Sequence, residues 1–274
     1  MPADLHTHTN FSDGSFSPDE LVAEAKKVGL NYLAVTDHDT VDGFRYLYEN
    51  GLYPAKGLKI IPGIEISANH PEHDVHIVGY NIDIYDAHLS EMINEIAESR
   101  WTRFSEIIKN LQENKFNIRE AEVLQAAGAS RSVGRFHIAR VLVKNGAFKT
   151  VREAFDKMLG KGQPAYAKRY FPEINDVIET IHSAGGQAVL AHPKLVGDDN
   201  LVEEICKRVD AVEVYYPCHT AEDVQKYKSL ASQYNLKLTG GSDFHGLSSR
   251  FVNALGEFTI PDELAEQFFQ GDND

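Results

Sequence analysis

The chain has 274 residues, of which 42% are hydrophobic and 25% charged, enough for one large domain or a barrel with a modest insertion, and not the profile of a disordered chain. Its formal net charge of −14 excludes a protein that coats duplex nucleic acid, because such binding rests on Lys and Arg neutralising phosphates. No apolar run approaches the roughly 18–20 residues needed to span a bilayer, so no membrane partner is expected. In chain order, short β-type runs recur at Ala3–His6, Tyr32–Thr36, Leu58–Ile61 continuing into Ile64–Ile66, Val75–Val78, Ala188–Ala191, Ala211–Val214 and Leu236–Thr239. The opening residues lack a basic and apolar leader pattern, so a signal peptide is not expected. Between the first two runs, Pro18–Val28 reads as a helix, with Ser17 as N-cap, Glu20 as its capping-box partner and Gly29 as the stop. Strand–helix alternation of this kind predicts an α/β fold with a mostly parallel sheet, open or closed into a barrel. Cys206 and Cys218 form no C-x-x-C pair, which fits a cytoplasmic, reducing setting and argues against thiolate metal ligands.

The alternation fails between about residues 88 and 168. Leu89–Glu113 reads as one long helix, with shorter helical pieces at Arg119–Ala127, His137–Asn145 and Val151–Leu159. Residues 1–87 and 169–274 then form the strand–helix body, and 88–168 an all-helical insert. From Arg100 to Arg169 the chain carries 15 Lys/Arg against 6 Asp/Glu, so a basic segment sits inside an acidic protein. For most of these charges the ordinary reading is a solvated helix face.

Polar residues gather where the runs stop: His6-Thr7-His8, Asp37-His38-Asp39, Glu65, His76, His192 and Asp243-Phe244-His245. In β/α barrels the functional groups sit at the C-terminal strand ends, so residues distant in sequence converge on one mouth. An x-His-x-His at a strand end points both imidazoles to one side. Asp13, Glu65 and Asp243 add hard oxygen donors, a mixture that suits Zn, Mn or Fe. Taken singly, each residue has an ordinary role: His76 as a hydrogen-bonded core residue, His192 as a strand end before Pro193, Asp13-Gly14 as a turn. Together, nine ionisable groups at strand ends would be costly to bury without a cation. Asp37 and Asp39 are candidates for orienting ligands or capping loops, His182 for a helix-end role, and His70, His73, His88 and His219 receive none.

The series Asp4-Leu5-His6-Thr7-His8, Asp13-Gly14, Thr36-Asp37-His38-Asp39, Gly63-Ile64-Glu65, His76, Ala191-His192-Pro193 and Gly241-Ser242-Asp243-Phe244-His245 resembles the polymerase and histidinol phosphatase (PHP) family, in family order. The resemblance implies a distorted seven-stranded β/α barrel holding three divalent metal ions (Mn, Fe or Zn). One ion would take His6, His8, Glu65 and Asp243; a second Glu65, His76 and His192; a third Asp13, His38 and His245. Gly134-Arg135-Phe136-His137 and Gly160-Lys161-Gly162-Gln163 resemble a subgroup acting on nucleoside phosphates and short RNA ends, which places its helical insert over the barrel mouth. Many members have Pro where this chain has Phe136. Where the subgroup often continues with Lys-Pro after the last metal motif, this chain has Leu247-Ser248-Ser249-Arg250, and Arg250 is the candidate replacement.

These likenesses imply a phosphoesterase in which a metal-activated water attacks a nucleoside monophosphate, a 3′,5′-bisphosphate or the 5′ end of short single-stranded RNA. Arg135 and Lys161 would clamp a second phosphate, and His137 would protonate the leaving oxygen or bond to phosphate. Three rivals stand beside it: a histidinol-phosphate phosphatase, an amidohydrolase-type barrel, and a non-catalytic metal-dependent binding or regulatory module. The basic insert weighs against the first, the third ligand set against the second, and the complete ligand set against the last.

Overall fold

The computed structural model describes residues 2–127, 133–246 and 251–269. Strand β1 (Pro2–Asp4) leads to helix α1 (Pro18–Lys27). That helix begins where its capping signals lie: the Ser17 hydroxyl accepts from the Glu20 N–H, and the Glu20 carboxylate accepts from the Ser17 N–H. Leu21, Val22 and Ala25 form its buried face. Gly29, at φ +79°, then reverses the chain into β2 (Tyr32–Val35). Helix α2 (Asp42–Glu49), the long β3 (Lys59–Ala68) and β4 (Val75–Tyr80) follow.

Two compact units divide the chain, one of Met1–Ile93 with Phe171–Asp274, the other of Asn94–Tyr170. The second is built from α3 (Ala87–Glu113) beyond its first two turns, α4 (Glu120–Ala127), α5 (Arg135–Lys144) and α6 (Val151–Ala154). It has its own core, in which Phe104, Ile107, Ile108 and Leu111 of α3 meet Ile138, Val141 and Leu142 of α5 at helical spacing. The helix expected over Val151–Leu159 widens at Phe155–Leu159 into a π-helical turn, closed by the Gly160 N–H on the Phe155 carbonyl at 2.8 Å. A β-carbon at Gly160 would stand 2.8 Å from that carbonyl oxygen, so only glycine fits this close approach.

Back in the first unit, α7 (Ile174–Ser183), β5 (Gln187–Leu190), α8 (Pro193–Val196), α9 (Asp199–Cys206), β6 (Ala211–Tyr215), α10 (Ala221–Tyr234) and β7 (Lys237–Gly240) complete the alternation. The sheet runs β7-β6-β5-β4-β3-β2-β1, and an eighth strand, β8 (Ile260–Pro261), pairs antiparallel to β1 and precedes α11 (Asp262–Glu266). Beyond β7 the chain returns to the continuation of β1: the Leu5 N–H donates to Gly240 O at 3.3 Å and the His8 N–H to Phe244 O at 2.9 Å. Among the described residues the result is a nearly closed barrel of eight strands rather than seven. Two residues, one of them proline, carry no readable strand pattern, which is why β8 is invisible in the sequence.

The sheet also departs from parallel order, because β4 runs antiparallel to both β3 and β5. Residues 69–74 are too few for a parallel crossover, which needs about a dozen or more residues. Side chains of alternate positions face the barrel interior, where Ala3, Leu5, Tyr32, Ala34, Ile61, Val78, Tyr80, Val189 and Ala211 share one cluster. With period two, Glu65 falls on the face of Ile61, His76 on the face of Val78, and Glu213 on the face of Ala211. Polar groups in this register enter the barrel above its apolar packing. Among the described residues no helix is long and apolar enough to cross a membrane.

Candidate metal centre

Glu65 is fully buried, and five imidazole nitrogens surround its carboxylate. Its Oε2 lies 3.3 Å from His6 Nε2, 3.4 Å from His8 Nε2 and 2.9 Å from His38 Nδ1. Its Oε1 lies 2.9 Å from His76 Nδ1 and 3.0 Å from His192 Nε2. Each oxygen therefore faces its own set of nitrogens. Asp243 Oδ1 joins the first set, 3.1 Å from His8 Nε2 and 3.6 Å from His6 Nε2. Asp13 faces a third set, 3.2 Å from His245 Nε2 and 3.9 Å from both His8 Nδ1 and His38 Nε2.

Three donor groups have ligand atoms within 4.8 Å of one another: His6, His8, Glu65 and Asp243; His38, Glu65 and His76; and His8, Asp13, His38 and His245. All nine residues singled out in the sequence lie in this one cluster, His192 through Glu65. The partition is less strict than three separate ligand sets, since His8 and His38 each stand between two groups.

His76 reaches the cluster from the second position of its strand, not from a strand end. Because β4 runs opposite to its neighbours, its beginning lies beside the ends of β3 and β5, with His76 paired to Ser67. His192, at φ +27°, and Asp243, at φ +54°, hold backbone conformations that non-glycine residues seldom adopt. Such strain persists where surrounding structure fixes it, often at functional sites.

The loop bearing Asp13 is tied down by Asp37, whose carboxylate accepts from the Thr9 N–H at 2.7 Å, the Thr9 hydroxyl at 2.7 Å and the Ser12 hydroxyl at 2.6 Å. A β-carbon at Gly43 would sit 2.0 Å from Asp37 Oδ2, so glycine there leaves room for this carboxylate. Asp39 accepts from the Ser67 N–H at 3.1 Å. Both aspartates thus secure loops. His182 Nε2 bonds Asp210 Oδ2 at 2.7 Å, on the exposed end of α7.

Two residues not singled out in the sequence fix the ligands. Glu213 is buried; its Oε1 is 3.1 Å from His6 Nδ1, and its Oε2 accepts from the His192 N–H at 2.7 Å. A carboxylate on Nδ1–H leaves the Nε2 lone pair of His6 aimed into the cluster. Tyr216 donates its hydroxyl to Asp243 Oδ2 at 2.7 Å, leaving Oδ1 to face the histidines. Glu213 interrupts the apolar run Ala211–Tyr215, a signal that a buried carboxylate needs a partner but not which one, and Tyr216 leaves no such signal. We expect Glu213→Gln to weaken metal affinity by about 10–100-fold while leaving the metal-bound enzyme folded. Titration with Mn, followed by elemental analysis, measures this; unchanged affinity would remove Glu213 from the centre.

Buried charge sets the electrostatics. Burial pushes the Glu65 carboxyl up, but His38, His6 and His76 outweigh it and hold it well below the carboxylate range. Burial pushes His38 down, yet Glu65 and Asp13 lift it to about 10. His8 falls to about 3 through burial and the adjacent His245. Among the buried atoms without a hydrogen-bond partner are His6 Nε2, His8 Nε2, His38 Nδ1, Glu65 Oε2 and Asp243 Oδ1. They crowd within a few ångströms yet lack hydrogen-bond geometry, so their lone pairs converge on the space between them. Burying them so is costly unless a cation accepts those lone pairs. Imidazole and carboxylate donors without thiolate fit Zn, Mn or Fe.

Arg135, His137 and Lys161 belong to the helical unit. Arg135 Nη1 donates to Leu159 O at 3.3 Å, and its guanidinium lies 5.6 Å from the Phe155 ring centre. His137 Nδ1 accepts from the Gly134 N–H at 3.3 Å, and burial, then Arg140, lower its pKa. Lys161 is exposed. Arg250 lies outside the described residues.

The PHP domain family model matches residues 4–176. A 5′-3′ exoribonuclease, Rnm, of Escherichia coli is 35% identical over 253 residues, covering 88% of this chain and 84% of that one. A 3′,5′-nucleoside bisphosphate phosphatase of Chromobacterium violaceum is 32% identical, covering 88% of this chain and 86% of its own. Among solved structures, a candidate metal-dependent phosphoesterase of Bifidobacterium adolescentis superposes with a TM-score of 0.80 at 30% identity, over 97% of this chain and 94% of that one.

Proposed function

This chain belongs to the PHP domain family and is a phosphoesterase of the hydrolase class, and from that premise we propose that it hydrolyses nucleotide phosphoesters, namely nucleoside monophosphates, 3′,5′-bisphosphates or the 5′ ends of short RNA. The observation that carries the reading is Glu65, whose two oxygens face two sets of imidazoles. In this reading His6, His8, Glu65 and Asp243 would hold one divalent ion, Glu65, His76 and His192 a second, and Asp13, His38 and His245 a third, with Glu65 belonging to both of the first two sets. Such ions, when bound, supply a nucleophile at neutral pH and neutralise the charge that builds on phosphoryl oxygens.

The protein's own groups do the remainder. Glu213 and Tyr216 fix the directions of His6 and Asp243. Asp37 keeps the Asp13 loop in place. Arg135 and Lys161, in the helical insert of residues 88–168, would hold a second phosphate of the substrate, and His137 would bond to phosphate or protonate the leaving oxygen. The basic insert favours a doubly anionic nucleotide over a small amino-alcohol phosphate. Phosphate release from nucleoside monophosphates, 3′,5′-bisphosphates, a 5′-phosphorylated short RNA and histidinol phosphate tests this. Faster turnover of the nucleotide substrates is expected; preference for histidinol phosphate would overturn the substrate class.

A further inference from the structure

Beyond the π-helical turn, Gly160-Lys161-Gly162-Gln163-Pro164-Ala165-Tyr166 folds back on the residues before it. The Gln163 N–H donates to Gly160 O, the Tyr166 N–H to Gln163 O and the Ala165 N–H to Met158 O, each at 3.0 Å. These bonds pin the segment to the turn, and the half-buried Tyr166 ring lies beside Arg135 of α5. Arg135 Nη1 donates to Leu159 O at 3.3 Å, and its guanidinium carbon stands 5.6 Å from the Phe155 ring centre and 5.9 Å from that of Tyr166. One carbonyl and two rings thus confine a side chain that otherwise rotates freely.

The same ring carries a second cation. The Arg103 guanidinium carbon lies 5.7 Å from the Tyr166 ring centre, and Arg103 Nε donates to Ala167 O at 2.9 Å. Two guanidinium groups on one ring repel each other: burial, then Arg135, pull the Arg103 guanidinium down to about 10. Filling space does not call for this arrangement, because an aliphatic side chain would pack there without drawing two like charges together. Among the described residues Arg135 donates one hydrogen bond, so most of its five N–H donors are left for other acceptors. A confined guanidinium with most of its donors unused suits an anion.

We propose that Tyr166 is a positioning residue, whose ring, together with the π-helical turn, fixes the Arg135 guanidinium before substrate arrives. This rests on the reading of Arg135 as a phosphate clamp and deepens it by naming what holds the clamp. Immobilising a rotamer-rich side chain on binding costs affinity, and fixing it beforehand removes that cost. A cation–π contact orients the planar guanidinium without consuming its N–H donors, which a carboxylate partner would occupy. The widened turn acts with the ring: Phe155 and Leu159, its first and last residues, both touch Arg135. Such turns recur at functional sites.

Tyr166→Leu removes the ring and Tyr166→Phe keeps it. Side-chain Nε–H relaxation by NMR, on full-length protein with isotope-labelled arginine, in chelator and without substrate, reads the order of Arg135 independently of any turnover. The Arg135 signal is the one lost in Arg135→Ala. We expect an ordered Arg135 in the parent and in Tyr166→Phe, and a mobile one in Tyr166→Leu. With adenosine 3′,5′-bisphosphate and Mn, Tyr166→Leu should raise KM by roughly threefold to tenfold, the scale of one cation–π contact, with kcat affected much less. Tyr166→Phe should restore the parent KM. In the Arg135→Ala background Tyr166→Leu should add nothing, because both residues act through one guanidinium. Should Tyr166→Leu unfold the unit, Phe155→Leu removes the other ring and is expected to loosen Arg135 likewise. An Arg135 already mobile in the parent, one equally ordered in Tyr166→Leu, or a KM rise of the same size in the Arg135→Ala background would each overturn the positioning role. Loosening of Arg135 with no KM change in either Arg135→Ala or Tyr166→Leu would instead overturn the clamp reading and leave the hold of Tyr166 on Arg135 in place.

Discussion

Replacing Glu65 with alanine is expected to abolish turnover and to remove more than one equivalent of metal. The carboxylate is wholly buried, and its oxygens divide five imidazole nitrogens between two sides, all within 3.4 Å. Removing it takes an anionic ligand from two groups at once and leaves His6, His38, His76 and His192 without the charge they face. Loss of a single preorganised electrostatic group typically costs about 10²–10³ in kcat, and loss of a shared ligand should exceed that. Elemental analysis of the variant beside the parent, with phosphate release on the same samples, measures both effects. Glu65→Gln, which keeps the shape of the side chain, guards against misfolding and should lose metal as well. Retention of all but one equivalent with activity intact would sink the bridging role.

The second large effect concerns substrate rather than metal. Arg135→Ala should raise the KM for a 3′,5′-bisphosphate or oligonucleotide by about tenfold to a hundredfold, the equivalent of roughly 1.5–3 kcal/mol for a charge-assisted hydrogen bond. A generic aryl phosphate, lacking the second anionic group, should be affected far less, and metal content not at all. Arg135 also packs on Phe155 and Tyr166, so Arg135→Lys, which keeps the charge without the planar fork, separates packing from binding. Equal losses on both substrates would place Arg135 on the transferred phosphoryl group instead.

Much of this arrangement is legible in the sequence because strand ends and metal donors are both local signals. β1 to β7 follow the β-type runs, and seven of the nine donor residues lie at the C-terminal ends of strands or in the loops beyond, while Glu65 sits inside β3 and His76 near the start of β4. What the sequence hides is direction and support. A β-branched run such as Val75–Tyr80 looks the same in either direction, so the antiparallel course of β4, and with it the reason His76 begins a strand, emerges only from the pairing. Glu213 and Tyr216 are hidden differently: their roles lie in contacts with residues far along the chain, His6 and Asp243. The π-helical turn at Phe155–Leu159 continues a helical pattern with one residue too many per turn, which periodicity registers only as helix.

In the proposed function, one cluster of nine side chains holds several divalent ions and uses them to hydrolyse phosphoesters. Elemental analysis of the parent chain, stripped by chelation, reconstituted with Mn and freed of excess metal, checks this when phosphate release is measured on the same samples. Three equivalents per chain, no turnover after chelation, and recovery of turnover with the restored metal are expected. Full turnover with one equivalent or fewer would contradict this reading.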